Sequence, residues 1–179
     1  AAGAWTPRLL WTVGLFAPVM PLKGYNISID LPARGDPARL PESELPQRTV
    51  FSKYVYLTRL EDQVRVASMA EFDAWSTAPT PAVDAVFREQ ARLHAPQLAD
   101  AIDATPTRCG LRPLVADGVV LLGRCDGAGV GNLYVNVGPG HNGWKIGMGG
   151  GEVLARVMAG ESTADLPFDA AALAPTGRI

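Results

Sequence analysis

Only two histidines and two cysteines occur among the 179 residues. Neither His94 nor His141 has a carboxylate or cysteine at metal-ligand spacing, so a zinc site is not expected. Cys109 and Cys125 lack C-x-x-C spacing and are expected as two buried thiols, although their sequence positions do not exclude a disulfide. No G-x-S-x-G elbow is present, which leaves a serine hydrolase without its nucleophile turn. No apolar run approaches the roughly 20 residues that a membrane-spanning helix needs. The stretch Leu9 to Met20 is apolar but interrupted by Gly14 and Pro18, and no small-residue cleavage pattern follows it. Charge of one sign is also lacking: 16 Lys and Arg stand against 18 Asp and Glu. Phosphate backbones are bound by clustered cations, so nucleic acid is not an expected partner. No internal repeat is found.

What is present describes a globular chain, with 47% hydrophobic and 19% charged residues. Its length suffices for one ordinary domain with a real core. Alternation about Tyr25, Ile27 and Ile29 predicts a half-buried strand over Val19 to Asp30. Pro32 to Pro46, rich in Pro, Arg, Glu and Asp, reads as an exposed loop. The β-rich runs Thr49 to Leu57 and Gln63 to Phe72 flank a polar turn and predict a hairpin. Thr80-Pro81 supplies an N-cap and an N1 proline for a helix carrying Val83, Val86, Phe87, Ala91 and His94 at three- and four-residue spacing. Pro96 interrupts it, and a second short helix is expected over Gln97 to Ile102. Two more runs, Thr107 to Leu114 and Val119 to Gly123, are expected to pair through Asp117-Gly118, a strong hairpin signal. After Gly160 the Pro/Ala composition predicts a frayed tail.

One motif concentrates chemistry. The apolar strand Leu133 to Val137 runs into Gly138-Pro139-Gly140-His141-Asn142-Gly143-Trp144 and then a helix over Ile146 to Met158. Glycines there admit positive φ and close backbone approach, and a helix N-terminus offers free N–H groups and partial positive charge to an anionic or electron-rich ligand. The G-x-G-x-x-G spacing suggests a dinucleotide fingerprint. That motif needs a second parallel strand and an acidic residue about 20 positions on. Glu161 stands at a tolerable distance, but no strand pattern follows it, so the βαβ unit cannot be completed. Gly147, Gly149, Gly150 and Gly151 crowd the helix that follows. Each costs about 1 kcal/mol against Ala, which implies close approach of a ligand or a neighbouring strand.

The segments Gly110-Leu111-Arg112-Pro113 to Gly118, Val119 to Gly123 and Asn132 to Gly150, in that order, resemble the closing part of the D-amino-acid oxidase superfamily of flavoproteins. Upstream, Pro21-Leu22-Lys23-Gly24-Tyr25 and Arg65-Val66-Ala67-Ser68-Met69-Ala70-Glu71-Phe72 are most similar to its D-amino-acid dehydrogenase branch. The strand, glycine turn and helix with which that family binds the ADP half of FAD have no counterpart here. The resemblance therefore implies the C-terminal part of such an enzyme. It also implies an α+β fold: a mixed, largely antiparallel substrate domain over 21–112, flanked by remnants of an FAD-binding domain at 1–20 and 113–160, with a tail at 161–179.

For the site, the resemblance implies that Arg112 pairs with a substrate carboxylate, a planar group that a guanidinium matches as a fork. Tyr54 and Tyr56, two apart and thus on one side of a strand, are candidates to line the substrate pocket. By the same resemblance Gly138, Gly140, Asn142, Gly143 and Trp144 would lie against the flavin ring. No catalytic acid or base is assigned. His141 is tempting, yet hydride transfer from an amino acid with a neutral amine needs no strong base. FAD is expected in the complete enzyme and weakly bound or absent in this chain alone. The expected partners are a small amino acid or amine and either a missing N-terminal half or a second copy. The alternative is a non-catalytic binding module that keeps the scaffold without cofactor.

Overall fold

The computed structural model describes residues 2–126 and 131–179. The elements run α1 (Thr6–Trp11), β1 (Val19–Asp30), β2 (Val50–Phe51), β3 (Val55–Leu60), β4 (Gln63–Glu71), α2 (Pro81–His94), α3 (Ala99–Ala104), β5 (Arg108–Val115), β6 (Leu121–Arg124), β7 (Tyr134–Val137) and α4 (Gly143–Ala159). The chain divides into two compact units, Lys23–Gly110 and Ala1–Leu22 with Leu111–Ile179.

The Lys23–Gly110 unit is built on a sheet of order β2-β3-β4-β1-β5. Its β2/β3, β3/β4 and β1/β4 pairs are antiparallel. Alternation along β1, β3 and β4 points Tyr25, Ile27, Val55, Leu57, Val64 and Val66 to one face, where they are buried with Phe87 and Ala91 of α2 and Ile102 of α3. Burying each such aliphatic or aromatic side chain stabilises by about 1.5–3 kcal/mol, and this sets the register, since a one-residue slip would expose the set.

Three local expectations change. The run Thr49 to Leu57 is not one strand, because Ser52 Oγ accepts from the N–H groups of Tyr54 and Val55 at 3.3 and 3.1 Å and turns the chain between β2 and β3. The expected hairpin between the two β-rich runs forms as β3 and β4, closed at Glu61 with φ 53°. Within β4 the register against β1 shifts between Gly24↔Ala70 and Tyr25↔Ser68, leaving Met69 bulged at φ 44°.

The other unit has its own core, in which Leu10, Leu15 and Val19 pack with Val115, Leu121, Val135 and Val137. β6 pairs antiparallel with β7. The hairpin expected about Asp117-Gly118 does not form: the turn closes with Gly118 N–H on the Val115 carbonyl at 2.9 Å, but β5 joins the five-stranded sheet and β6 joins β7. The tail is not frayed. Arg156 holds both oxygens of Asp165 at 2.8 and 3.0 Å, and Pro175 is fully buried against Gly123. α4 begins three residues earlier than its apolar pattern suggests and stops at Gly160, whose φ of 71° favours glycine.

Candidate functional site

The glycine turn links β7 to α4 within one unit, beside the strand that carries Arg112. Gly138 has φ 89° and Gly140 φ 56°, conformations that L side chains avoid. A Cβ on Gly138 would stand 2.1 Å from Val115 Cγ2, and one on Gly140 would stand 3.3 Å from Leu114 Cδ1. These two glycines therefore bring the turn close to β5. Gly140 N–H donates to the Pro113 carbonyl at 2.8 Å, and Leu114 bridges Pro139. The backbone on either side of the bond is thus held one residue from Arg112, which is half-buried on β5.

The start of α4 is open. Asn142 occupies the N-cap position but its side chain caps nothing, and its carbonyl already accepts from Lys145 and Ile146. Among the described residues no acceptor meets the N–H groups of Gly143 and Trp144. Gly143 has only Pro139 Cγ, at 3.7 Å, near its missing Cβ, and the Trp144 side chain is fully exposed. Open N–H groups at the positive end of a 17-residue helix, with no side chain over them, suit an electron-rich group.

Tyr54 and Tyr56 belong to the other unit. Tyr54 stands just ahead of β3 and Tyr56 within it, on either side of the fully buried Val55, so the sheet face they share is the one away from α2. Both are about 40% exposed, at 40% and 42%. The Tyr56 ring packs edge-on against Phe51 at 4.6 Å, and Lys53 Nζ lies 5.2 Å from the Tyr54 ring. Neither phenol is hydrogen-bonded among the described residues, so both remain available to a ligand.

A buried polar network escaped the sequence reading. Lys23 is fully buried, and its Nζ donates to Asp73 at 2.6 Å, to the Ala78 carbonyl at 2.9 Å and to Thr80 Oγ1 at 3.1 Å, with Glu71 at 3.3 Å. Tyr25 donates to Glu71 and accepts from Thr80 N–H at 2.9 Å. Thr80 Oγ1 donates to Glu71 at 2.6 Å, so the residue stands at the N-cap of α2 without capping it. Burial alone would lower the Lys23 pKa, but its bonds to Asp73 and Glu71 outweigh this and raise it. Thr80 and Tyr25, then Lys23, hold the Glu71 carboxyl below its ordinary value. No spacing rule announces a cluster drawn from positions 23, 25, 71, 73 and 80. None of its buried side-chain polar atoms lacks a partner, and it ties the end of β4 to the start of α2.

Cys109 and Cys125 are free thiols, and burial pushes both pKa values up, away from reactive thiolate. Among the described residues no group of His, Cys, Asp and Glu could hold a metal ion, and no helix is long and apolar enough to cross a membrane.

A family model described as FAD dependent oxidoreductase, DAO, matches residues 1–157. The chain is 36% identical over 173 residues to a D-amino acid dehydrogenase of Rhizorhabdus wittichii, covering 94% of this chain and 39% of that protein. It is 33% identical over 165 residues to a D-amino acid dehydrogenase of Allorhizobium ampelinum, covering 91% and 36%. Among solved structures, glycine oxidase from Geobacillus kaustophilus superposes with a TM-score of 0.75 at 24% identity, over 97% of this chain and 43% of its own. Iminodiacetate oxidase from Chelativorans sp. BNC1 gives 0.72 at 29% identity, over 94% and 43%. The chain spans well under half the length of each of these relatives.

Proposed function

We propose, because the chain belongs to the DAO family of FAD dependent oxidoreductases, that it forms the substrate-binding and flavin-facing part of an enzyme oxidising D-amino acids or related amines to 2-oxo acids and ammonia. One observation carries the reading: the Gly140 to Pro113 hydrogen bond of 2.8 Å fixes the open N-terminus of α4 to the strand of Arg112. A group for a substrate carboxylate and a group for an electron-rich ring are thereby built on one backbone frame.

The residues present fit a flavin. The N–H groups of Gly143 and Trp144 have no acceptor among the described residues, and Gly143 leaves the helix start uncovered. Gly143, Trp144 and Asn142 would hold the ring's pyrimidine end, while Gly138 and Gly140 act through the packing of the turn. FAD, when bound, supplies the two-electron acceptor for the substrate Cα–H, and water hydrolyses the resulting imine. The chain contributes position and electrostatics. Arg112 grips the carboxylate with two N–H donors, which fixes Cα. The α4 N-terminus favours negative charge developing near it. On the Lys23–Gly110 unit, Tyr54 and Tyr56 carry hydroxyls without a partner among the described residues, which suits them to hydrogen-bond a polar group. No side chain is assigned a proton-transfer role.

The relatives' names favour D-amino acids as substrates. The test is anaerobic mixing of D-amino acids with the complete flavin-loaded protein, watching the yellow absorbance. Bleaching that depends on substrate concentration supports the reading. A complete protein that binds no flavin supports the cofactor-free scaffold instead.

A further inference from the structure

We propose that the face of the five-stranded sheet turned away from α2 is a binding site for a small dicarboxylate, an acid of the size of glutamate or glutarate, with Arg65 and Arg108 as its anchors. Alternation along the strands defines this face. On β4 Arg65 stands between Val64 and Val66, both fully buried in the core beneath α2. On β5 Arg108 precedes Cys109, which packs against that same core, so Arg108 turns to the opposite side. Between these two strands lies β1, whose Asn26 and Ser28 alternate with the buried Tyr25, Ile27 and Ile29. Ser28 is the cross-strand partner of Arg65, and Asn26 donates to the Arg108 carbonyl at 3.2 Å. The two arginines therefore flank β1 on one face.

Neither cation is neutralised within the chain. Both arginines are exposed, and among the described residues neither guanidinium forms a hydrogen bond or an ion pair. Asp30, at the end of β1, is occupied by Gln63 Nε2 at 2.8 Å. Two like charges on one face repel, and an anion held between them removes that cost. Adjacent strands lie about 4.8 Å apart, so the two arginine backbones stand roughly 10 Å apart across β1. Side chains of that length can close on the two ends of a five-carbon diacid. Ala67 faces both Asn26 and Tyr56 across the ladder, and its small side chain leaves a seat between the amide and the phenol. The hydroxyls of Ser28 and Tyr56 have no partner among the described residues and add polar contacts there. A guanidinium is a planar fork matched to a carboxylate, and two of them match a dianion. The site lies within the Lys23–Gly110 unit and stands without the amine-oxidation reading; only the identity of the diacid as an acidic D-amino acid rests on that reading.

The test titrates the full 179-residue chain with glutarate, with pentanoate as the same carbon chain bearing one carboxylate, and with inorganic phosphate. Low ionic strength keeps the exposed charges from being screened. Glutarate should bind one to one and about tenfold tighter than pentanoate. Arg65→Met and Arg108→Met should each weaken glutarate by about fivefold or more. Both should melt at the parent temperature, because exposed, unpaired side chains contribute little to stability. Arg65→Lys should recover little. The proposal is overturned if pentanoate or phosphate binds as tightly as glutarate, or if either Met variant binds glutarate like the parent. It is overturned equally if a Met variant melts well below the parent, since the arginine would then be structural. The complete flavin-loaded protein separates the two sources of the diacid. If it is the substrate, D-glutamate should reduce the flavin in preference to D-glutamine, and that preference should fall by about fivefold in Arg65→Met. If the preference is absent, or survives while glutarate binding is lost, the diacid is a free ligand of this face. A flavin that no amine reduces, with glutarate binding intact, ends the amine-oxidation reading and leaves the site standing.

Discussion

Arg178 reaches back across 61 residues to clamp Asp117, its Nη2 standing 2.9 and 2.8 Å from the two carboxylate oxygens. The same guanidinium donates to the carbonyls of Val119 at 2.7 Å and Val120 at 3.2 Å. Those carbonyls lie where a β5–β6 hairpin would have drawn its first ladder bonds. The C-terminal tail takes them instead, and β6 is free to pair with β7.

Replacing Arg178 with Met should destabilise the Leu111–Ile179 part by about 1–2 kcal/mol. The loss comes mainly from the two carbonyls, since the ion pair is partly solvated. Hydrogen exchange should quicken in β6 and in residues 170–179 but not in the Lys23–Gly110 unit. Unchanged protection in β6 would show that the tail is not part of the fold's stability.

Gly138 and Gly143 should respond oppositely to alanine. At Gly138 the new methyl meets Val115 at 2.1 Å with φ at 89°, and the loss should be about 2–4 kcal/mol. Gly143→Ala enters a helix with 3.7 Å to its nearest neighbour and should be neutral or stabilising by up to about 1 kcal/mol. Urea midpoints of the two variants check this, and flavin content of the complete protein should fall only where the α4 start is covered.

The Lys23 network predicts a pH profile. Glu71 is held below its ordinary 4.5, so its contribution is present above that value and is lost as pH falls through the lowered one. Lys23 is raised above 10.5, so its contribution is complete below that value and is lost only as pH rises through the raised one. Stability of the Lys23–Gly110 unit should be flat between about pH 5 and 10 and fall on acidification. Glu71→Gln should flatten the acid limb. Lys23→Met, which leaves two carboxylates facing an apolar group, should cost about 3 kcal/mol at neutral pH. Denaturation followed across pH measures both, and an acid limb unchanged in Glu71→Gln would remove Glu71 as its cause.

In the complete flavin-loaded protein, Arg112→Leu should weaken productive substrate capture by about 2–5 kcal/mol while flavin stays bound. Arg112→Lys should recover little, because a point charge does not reproduce the fork. Anaerobic reduction kinetics with D-amino acids give the comparison. An unchanged substrate dependence in the Leu variant would remove Arg112 as the carboxylate anchor.

Local chemistry made much of this protein legible from sequence. Alternation placed β1 over Val19–Asp30, Thr80-Pro81 opened α2, and the glycine turn led into α4, since periodicity and turn residues act over a few positions. Ordered motifs about Arg112 and Gly138 pointed to the family. Tertiary structure decided what depends on distant partners. Asp117-Gly118 turns the chain but does not choose which strands pair, and that choice fell to β1, β7 and the tail's Arg178. Thr80 has a capping hydroxyl by composition, yet the half-buried Glu71 claims it, because a charge-assisted bond to that carboxylate outweighs a helix cap. Gly138 and Gly143 look alike in the motif. Only the position of Val115 makes the first a packing necessity and leaves the second open to a ligand, because steric fit is a property of the folded neighbours and not of the residue.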